Sequence, residues 1–140
     1  DEVIAGVWHA LKPGGRFVGE CGGHGNVNTI VTALLDGLER RGICDREINP
    51  WYFSTDTDYG RRLKKQGFVI QTIALIPRPT PLPGDITGWL ETFAESFTSR
   101  LPEAERAGFL TEIRAALLPK LCDKNGQWTA DYIRLRFAAK

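Results

Sequence analysis

Residues 9–20, HALKPGGRFVGE, join the end of a helix, a stop and the start of a strand with no residue to spare. Ahead of the stop, Val3, Ile4, Val7, Trp8 and Leu11 recur at helical spacing, which makes one face of that helix apolar. Lys12 places a cation at the carbonyl end of the helix dipole, and Pro13 cannot donate the N–H that another turn would need. Gly14 and Gly15 supply the positive φ angles of a reversal, after which Arg16, Phe17 and Val18 open a strand that runs to Glu20. A helix passed directly into a strand is the αβ half of a parallel-sheet unit, so the fold class is α/β.

The rest of the chain continues that alternation. Gly22, Gly23, His24, Gly25 and Asn26 lead into Val27, Ile30, Val31, Leu34, Leu35 and Leu38, the strongest helical periodicity present. Asn26 is expected to cap this helix and Gly42 to end it, with Arg40 and Arg41 complementing its dipole. Residues 44–50 read as a connection. A short helix follows Trp51, Tyr52 and Phe53, capped by Thr55 or Ser54 and closed by Gly67. Residues 68–76 are rich in β-branched side chains and read as a strand, and Pro77, Pro79, Pro81 and Pro83 are expected to forbid any ladder beyond it. Asp85 is expected to cap a helix with Ile86, Trp89, Leu90, Phe93 and Phe97 on one stripe, and Pro102 to open another carrying Leu110, Ile113, Leu117 and Leu118. Residues 84–121 are thus an inserted helical region. The final segment sets Ile133, Leu135 and Phe137 against Tyr132, Arg134 and Arg136, which is strand alternation.

A chain of 140 residues, 42% hydrophobic and 25% charged, has a globular composition. Eighteen Lys and Arg against seventeen Asp and Glu leave a net charge of +1, so no nucleic-acid partner is expected, and the basic clusters at Arg40-Arg41 and residues 61–65 read as solvated helix faces. No apolar run approaches the roughly 18 residues of a membrane-spanning helix. Cys21, Cys44 and Cys122 are odd in number and widely spaced, so neither a disulfide framework nor a metal site is expected, and a reducing, cytoplasmic setting fits.

LKPGG followed by a strand rich in Phe and Val resembles the approach to the fifth strand of class I S-adenosylmethionine-dependent methyltransferases. CGGHGN, NPWYF, RPTPL, GWLETF and DYIRLRFAAK extend that likeness over most of the chain and resemble the trans-aconitate methyltransferase-like branch. The resemblance implies the C-terminal half of a Rossmann-like sheet: three strands, the last antiparallel and inserted between the other two, with flanking helices and 84–121 as a lid or substrate region. In that family the methyl donor is held by a glycine-rich turn after the first strand and an acidic end of the second, neither of which is found here. The resemblance therefore implies S-adenosylmethionine as the cofactor of a longer enzyme, no cofactor-binding residue in this chain, and little activity for the chain alone. The acceptor it implies is a small molecule, plausibly a carboxylate. A half sheet also leaves one edge unpaired, from which a homo-oligomer is expected.

Ligands of open α/β sheets bind beyond the carboxyl ends of the strands, which selects the loop after Glu20. Gly23, His24 and Asn26 in that loop are candidate substrate contacts, with His24 the one candidate base, its ordinary pKa being near neutral. A GxGxxG nucleotide cradle fails because Asn28 stands where the third Gly should be. Trp51, Tyr52 and Phe53 cannot all face one core, so Trp51 and Tyr52 are candidate pocket residues together with Trp89. Arg78 follows the second strand directly, and its guanidinium suits a carboxylate. Arg134 and Arg136 are read as pairing with acidic helix residues or as a solvated face, His9 as structural and Cys21 as a buried small residue. The rival to an enzyme is a non-catalytic α/β module for dimerisation or ligand binding. An NAD-dependent oxidoreductase rests only on the glycines of residues 22–25.

Overall fold

In the computed structural model, which describes residues 1–44 and 48–140, the last strand, β5 (Ile133–Ala139), lies between β1 (Phe17–Gly22) and β2 (Ile70–Pro77) and is antiparallel to both. Part of the connection expected over residues 44–50 thus falls outside the described residues. The strand order is compatible with the part of a methyltransferase sheet that the resemblance implies. It also makes β1 and β2 parallel to each other, with their carboxyl ends on one side.

Two units are distinguished along the chain, and the sheet belongs to the first: Asp1–Asn26, Phe53–Arg78 and Tyr132–Lys140. Helices α1 (Glu2–Ala10) and α2 (Asn28–Glu39) flank β1 in sequence, and α3 (Asp56–Gln66) precedes β2. Within the first unit, Ile4 of α1, Leu63 of α3, Phe68, Phe137 and Ala139 form a buried cluster, with Val7, Leu11, Phe17, Tyr59, Ile70 and Ile73 packed against it. The strand period of two sends Phe137 and Ala139 to this face and Arg134 and Arg136 to the other. Phe17 meets Phe137 edge-on at 4.8 Å, and Trp8 meets Phe68 edge-on at 4.8 Å. The opposite face is open: Val18 is 54% exposed, and Thr72, Ala74 and Arg136 are exposed with it.

Helix α3 begins and ends as its sequence dictates. Asp58 N donates to Thr55 Oγ1 at 3.1 Å, and Gly67 closes the helix at φ 117°. Strand β1 runs two residues beyond Glu20, because Cys21 and Gly22 still find Leu135 and Arg134 opposite them on β5.

The second unit, Val27–Tyr52 and Pro79–Asp131, holds α2, α4 (Ile86–Phe93), α5 (Glu95–Thr98), α6 (Glu103–Leu121), β3 (Thr80–Pro81) and β4 (Thr129–Ala130). Helix α2 therefore groups with the inserted helices. Ile30, Leu34 and Leu38 of α2 and Phe109, Ile113 and Leu117 of α6 are buried. Gly37 lets the helices approach, since a Cβ there would lie 2.6 Å from Ile113 Cδ1 and 2.8 Å from Phe109 Cε2. At the end of α2, Arg40 and Arg41 both bind Glu112 of α6, at 2.6 and 2.7 Å.

Three expectations are corrected here. Asn26 does not cap α2: Val27 occupies the cap position at φ 48°, and Thr29 N donates instead to Asp131 Oδ2 at 2.8 Å, a partner 102 residues away. The proline run does not end all pairing, because β3 pairs antiparallel with β4 and Leu82 N donates to Trp128 O at 2.8 Å. Pro81 is tolerated in a ladder this short because an edge position does not need its N–H. The expected stripe from Ile86 to Phe97 breaks at Ala94, whose φ of −95° and ψ of 13° leave helical geometry.

Candidate functional site at the carboxyl ends of the strands

In the first unit the carboxyl ends of β1 and β2 assemble a charge cluster. Register places Glu20 of β1 opposite Arg136 of β5, and both Gly22 and Ile76 opposite Arg134. Arg136 Nη2 donates to Glu20 Oε2 at 2.6 Å, Arg78 Nη1 donates to Glu20 Oε1 at 2.7 Å, and Arg134 Nε lies 4.0 Å from Oε1. The Arg136 hydrogen bond, with the charges of all three arginines, holds the Glu20 carboxyl below its ordinary pKa. Arg134 also stacks over the Tyr132 ring at 4.8 Å. Three guanidinium groups thus surround one carboxylate, and guanidinium is the side-chain group that best suits carboxylate geometry. Arg78 was legible as a candidate. The sequence marks Glu20 only as a strand end, and Arg134 and Arg136 pair with this strand carboxylate rather than with a helix.

The loop after β1 is tied down by its backbone. Gly23 N donates to Ile133 O at 2.9 Å and His24 N to Ser54 O at 2.8 Å, so Gly23 and Ser54 form a parallel bridge. His24 is exposed, and its backbone rather than its ring fixes the residue. Asn26 is 6% exposed, with its Oδ1 accepting from Ile133 N at 2.9 Å, so its side chain fixes the loop to the start of β5. The glycines are filled by the protein itself. A Cβ on Gly22 would lie 2.6 Å from the Phe53 ring, one on Gly23 2.3 Å from Leu75 Cδ2 and 3.0 Å from Leu135 N, and one on Gly25 3.0 Å from Ile133 Cδ1. That arrangement fits close packing of the loop and does not fit a cradle for the nucleoside or sulfonium of S-adenosylmethionine, nor for NAD.

Cys21 is exposed rather than buried, and shielding by its surroundings nevertheless pushes its thiol pKa up. His9 Nδ1 bonds Ala5 O at 2.7 Å within α1. Among the described residues no group of His, Cys, Asp and Glu is arranged to hold a metal ion.

Trp51, Tyr52 and Trp89 belong to the second unit. Trp51 packs at 6.0 Å from Trp89 and 5.7 Å from Phe97, and Trp89 at 5.0 Å from Phe93. Tyr52 is the exposed member of the triplet at 65%, while Phe53 lies over Gly22 in the first unit.

A relative bears on this site. The chain is similar to a Schizosaccharomyces pombe protein named "Uncharacterized methyltransferase C70.08c", 38% identical over 140 residues, which takes in 98% of this chain and 54% of that protein. The chain spans about half the length of that relative. No family model matches. Among the described residues no helix is long and apolar enough to cross a membrane.

Proposed function

We propose that this chain supplies the acceptor-binding part of an S-adenosylmethionine-dependent methyltransferase whose acceptor is a small carboxylate. The observation that carries the reading is the 38% identity, over 98% of the chain, to a protein named a methyltransferase. The glycines of the loop after β1 do not fit the methyl donor, and the relative is about twice as long as this chain, so the donor is assigned to the remainder of a longer polypeptide. The chain alone then transfers no methyl group.

The acceptor side follows from the charge cluster. Arg78, just past β2, and Arg134 of β5, opposite the carboxyl ends of β1 and β2, attract and orient the acceptor carboxylate, while Glu20 holds the guanidinium groups in place. An ionised carboxylate is already nucleophilic, so this assignment asks no general base of His24. Its demands are alignment and exclusion of water. The edge of β1 that faces away from β5 bears no strand among the described residues, which supports self-association of the isolated chain through that edge.

The test is transfer of radiolabelled methyl from S-adenosylmethionine to a panel of small carboxylates by the longest polypeptide that carries this chain. A methyl ester product and a KM for the acceptor raised at least about tenfold by Arg134→Met, with kcat little changed, are expected. Methylation only of amines, or a KM indifferent to Arg134, would refute the reading.

A further inference from the structure

Helices α1 and α3 each end just before the strand that follows them, so both close at the end of the sheet where Phe17 and Ile70 face Ala139 of β5. A pocket of about 350 Å³ opens there, a size within the roughly 300–1,000 Å³ of small-molecule sites. Its walls are apolar, made by Trp8, Leu11, Pro13 and Phe68, and its charged side chains are Lys12 and Lys140. Trp8 stands edge-on to Phe68 at 4.8 Å and against Gly67, where a Cβ would come within 2.9 Å of the indole. Yet 39% of Trp8 stays exposed, so the ring is fixed by its neighbours and still open to a ligand.

The side-chain charge at this end is of one sign. Lys12, Arg16, Lys65 and Lys140 are exposed, and none of the four is ion-paired among the described residues. The side-chain carboxylates of the first unit stand elsewhere. Asp1 and Glu2 begin α1, Asp56 and Asp58 begin α3, and Glu20 lies toward the carboxyl end of β1. Two opposing contributions remain: the carbonyl ends of α1 and α3, each equivalent to about half a charge, and the main-chain oxygen of Lys140, which accepts from Val69 N at 2.6 Å. The four cations outweigh both.

We propose that this pocket binds a small aromatic anion, its ring against Trp8 and its anionic head on Lys12 and Lys140. An exposed indole beside proline and phenylalanine takes a flat ring, and two ammonium groups with no carboxylate partner favour an anion over a neutral or cationic molecule of the same shape. The site lies at the other end of the sheet from Glu20, and the proposal is independent of the methyl-transfer reading.

The test is a titration of the isotopically labelled chain at low salt, followed through the indole N–H resonances of Trp8, Trp51, Trp89 and Trp128, with Trp8 assigned by its loss in Trp8→Phe. The probes are naphthalene-2-sulfonate, the neutral naphthalene-2-methanol and the cationic 2-naphthylmethylammonium. A saturable shift of Trp8 alone is expected with the sulfonate, at least about tenfold weaker with the other two. The Lys12→Glu, Lys140→Glu double variant should lose the sulfonate and gain the ammonium probe. Both positions are exposed, and unmoved resonances of the other three indoles verify that the variant is folded. Absence of binding, equal binding of the neutral probe, or a shift at the other indoles instead of Trp8 would overturn the proposal. So would broadening of Trp8 by phosphatidylglycerol vesicles without any shift by the sulfonate, which would assign this end of the sheet to an anionic membrane surface.

Discussion

Gly19 is the position where one methyl group should cost most relative to what sequence preference suggests. Alanine suits a strand better than glycine, and the lower entropy of its unfolded chain favours folding by about 0.5–1 kcal/mol. In this sheet, however, a Cβ on Gly19 would lie 2.7 Å from Phe137 Cζ and 2.8 Å from its Cε1. The ring cannot yield freely, being 3% exposed and held by Phe17 at 4.8 Å and Tyr59 at 5.0 Å. Overpacking of this kind costs about 2–3 kcal/mol, so Gly19→Ala should destabilise by about 1.5 kcal/mol net. For a chain of this length that lowers Tm by roughly 6 °C. Urea denaturation followed by far-ultraviolet circular dichroism gives the free energy directly. Phe137→Leu removes the atoms responsible, so the double variant should be more stable than the sum of the two single losses by about 1 kcal/mol or more. Strict additivity, or a Gly19→Ala variant as stable as the parent, would refute the packing argument.

Other perturbations follow from the same structure. Asp131→Ala removes the cap on Thr29 N and should destabilise by about 1 kcal/mol; the loss is tempered because Asp131 Oδ1 is buried without a hydrogen-bond partner among the described residues, and thermal unfolding reads the result. Gly67→Ala forces a side chain into φ 117° and within 2.9 Å of Trp8 Cη2, so a loss of at least about 1 kcal/mol is expected in the same assay. The Glu20 pKa lies below its ordinary 4.5 when folded, so the stability it contributes is present above that value and lost as pH falls through the folded pKa. Glu20→Gln should therefore flatten the loss of stability as pH falls below the ordinary carboxylate range, measured by urea midpoints down the acid limb, and an unchanged acid limb would count against the cluster.

Local chemistry was legible where the partners are local. The caps at Thr55 and Gly67 and the alternation of Ile133, Leu135 and Phe137 each depend on residues within a turn or a strand, and the structure has them as read, whereas α1 ends at Ala10, short of the stop expected at Pro13, with Leu11 already extended. What depends on distant pairing was not legible. Asn26 is a good cap by type, but the arrival of Asp131 beside Thr29 displaced it. Glu20, Arg78, Arg134 and Arg136 are unremarkable singly, and only insertion of β5 between β1 and β2 makes them one cluster. The exposure of Cys21 likewise depends on what lies beside β1. Residues 79–81 looked unable to pair because of their prolines, yet a two-residue ladder needs few donors.

The most direct test of the acceptor-side assignment is a titration of the isotopically labelled chain with succinate and, separately, with S-adenosylmethionine, followed through the arginine Nε–H resonances. Succinate should shift Arg78 and Arg134 and leave Arg40 and Arg41, which clamp Glu112, unmoved, while S-adenosylmethionine should shift none of them. Saturable binding of S-adenosylmethionine by this chain, or succinate shifts that bypass the Glu20 cluster, would contradict the account.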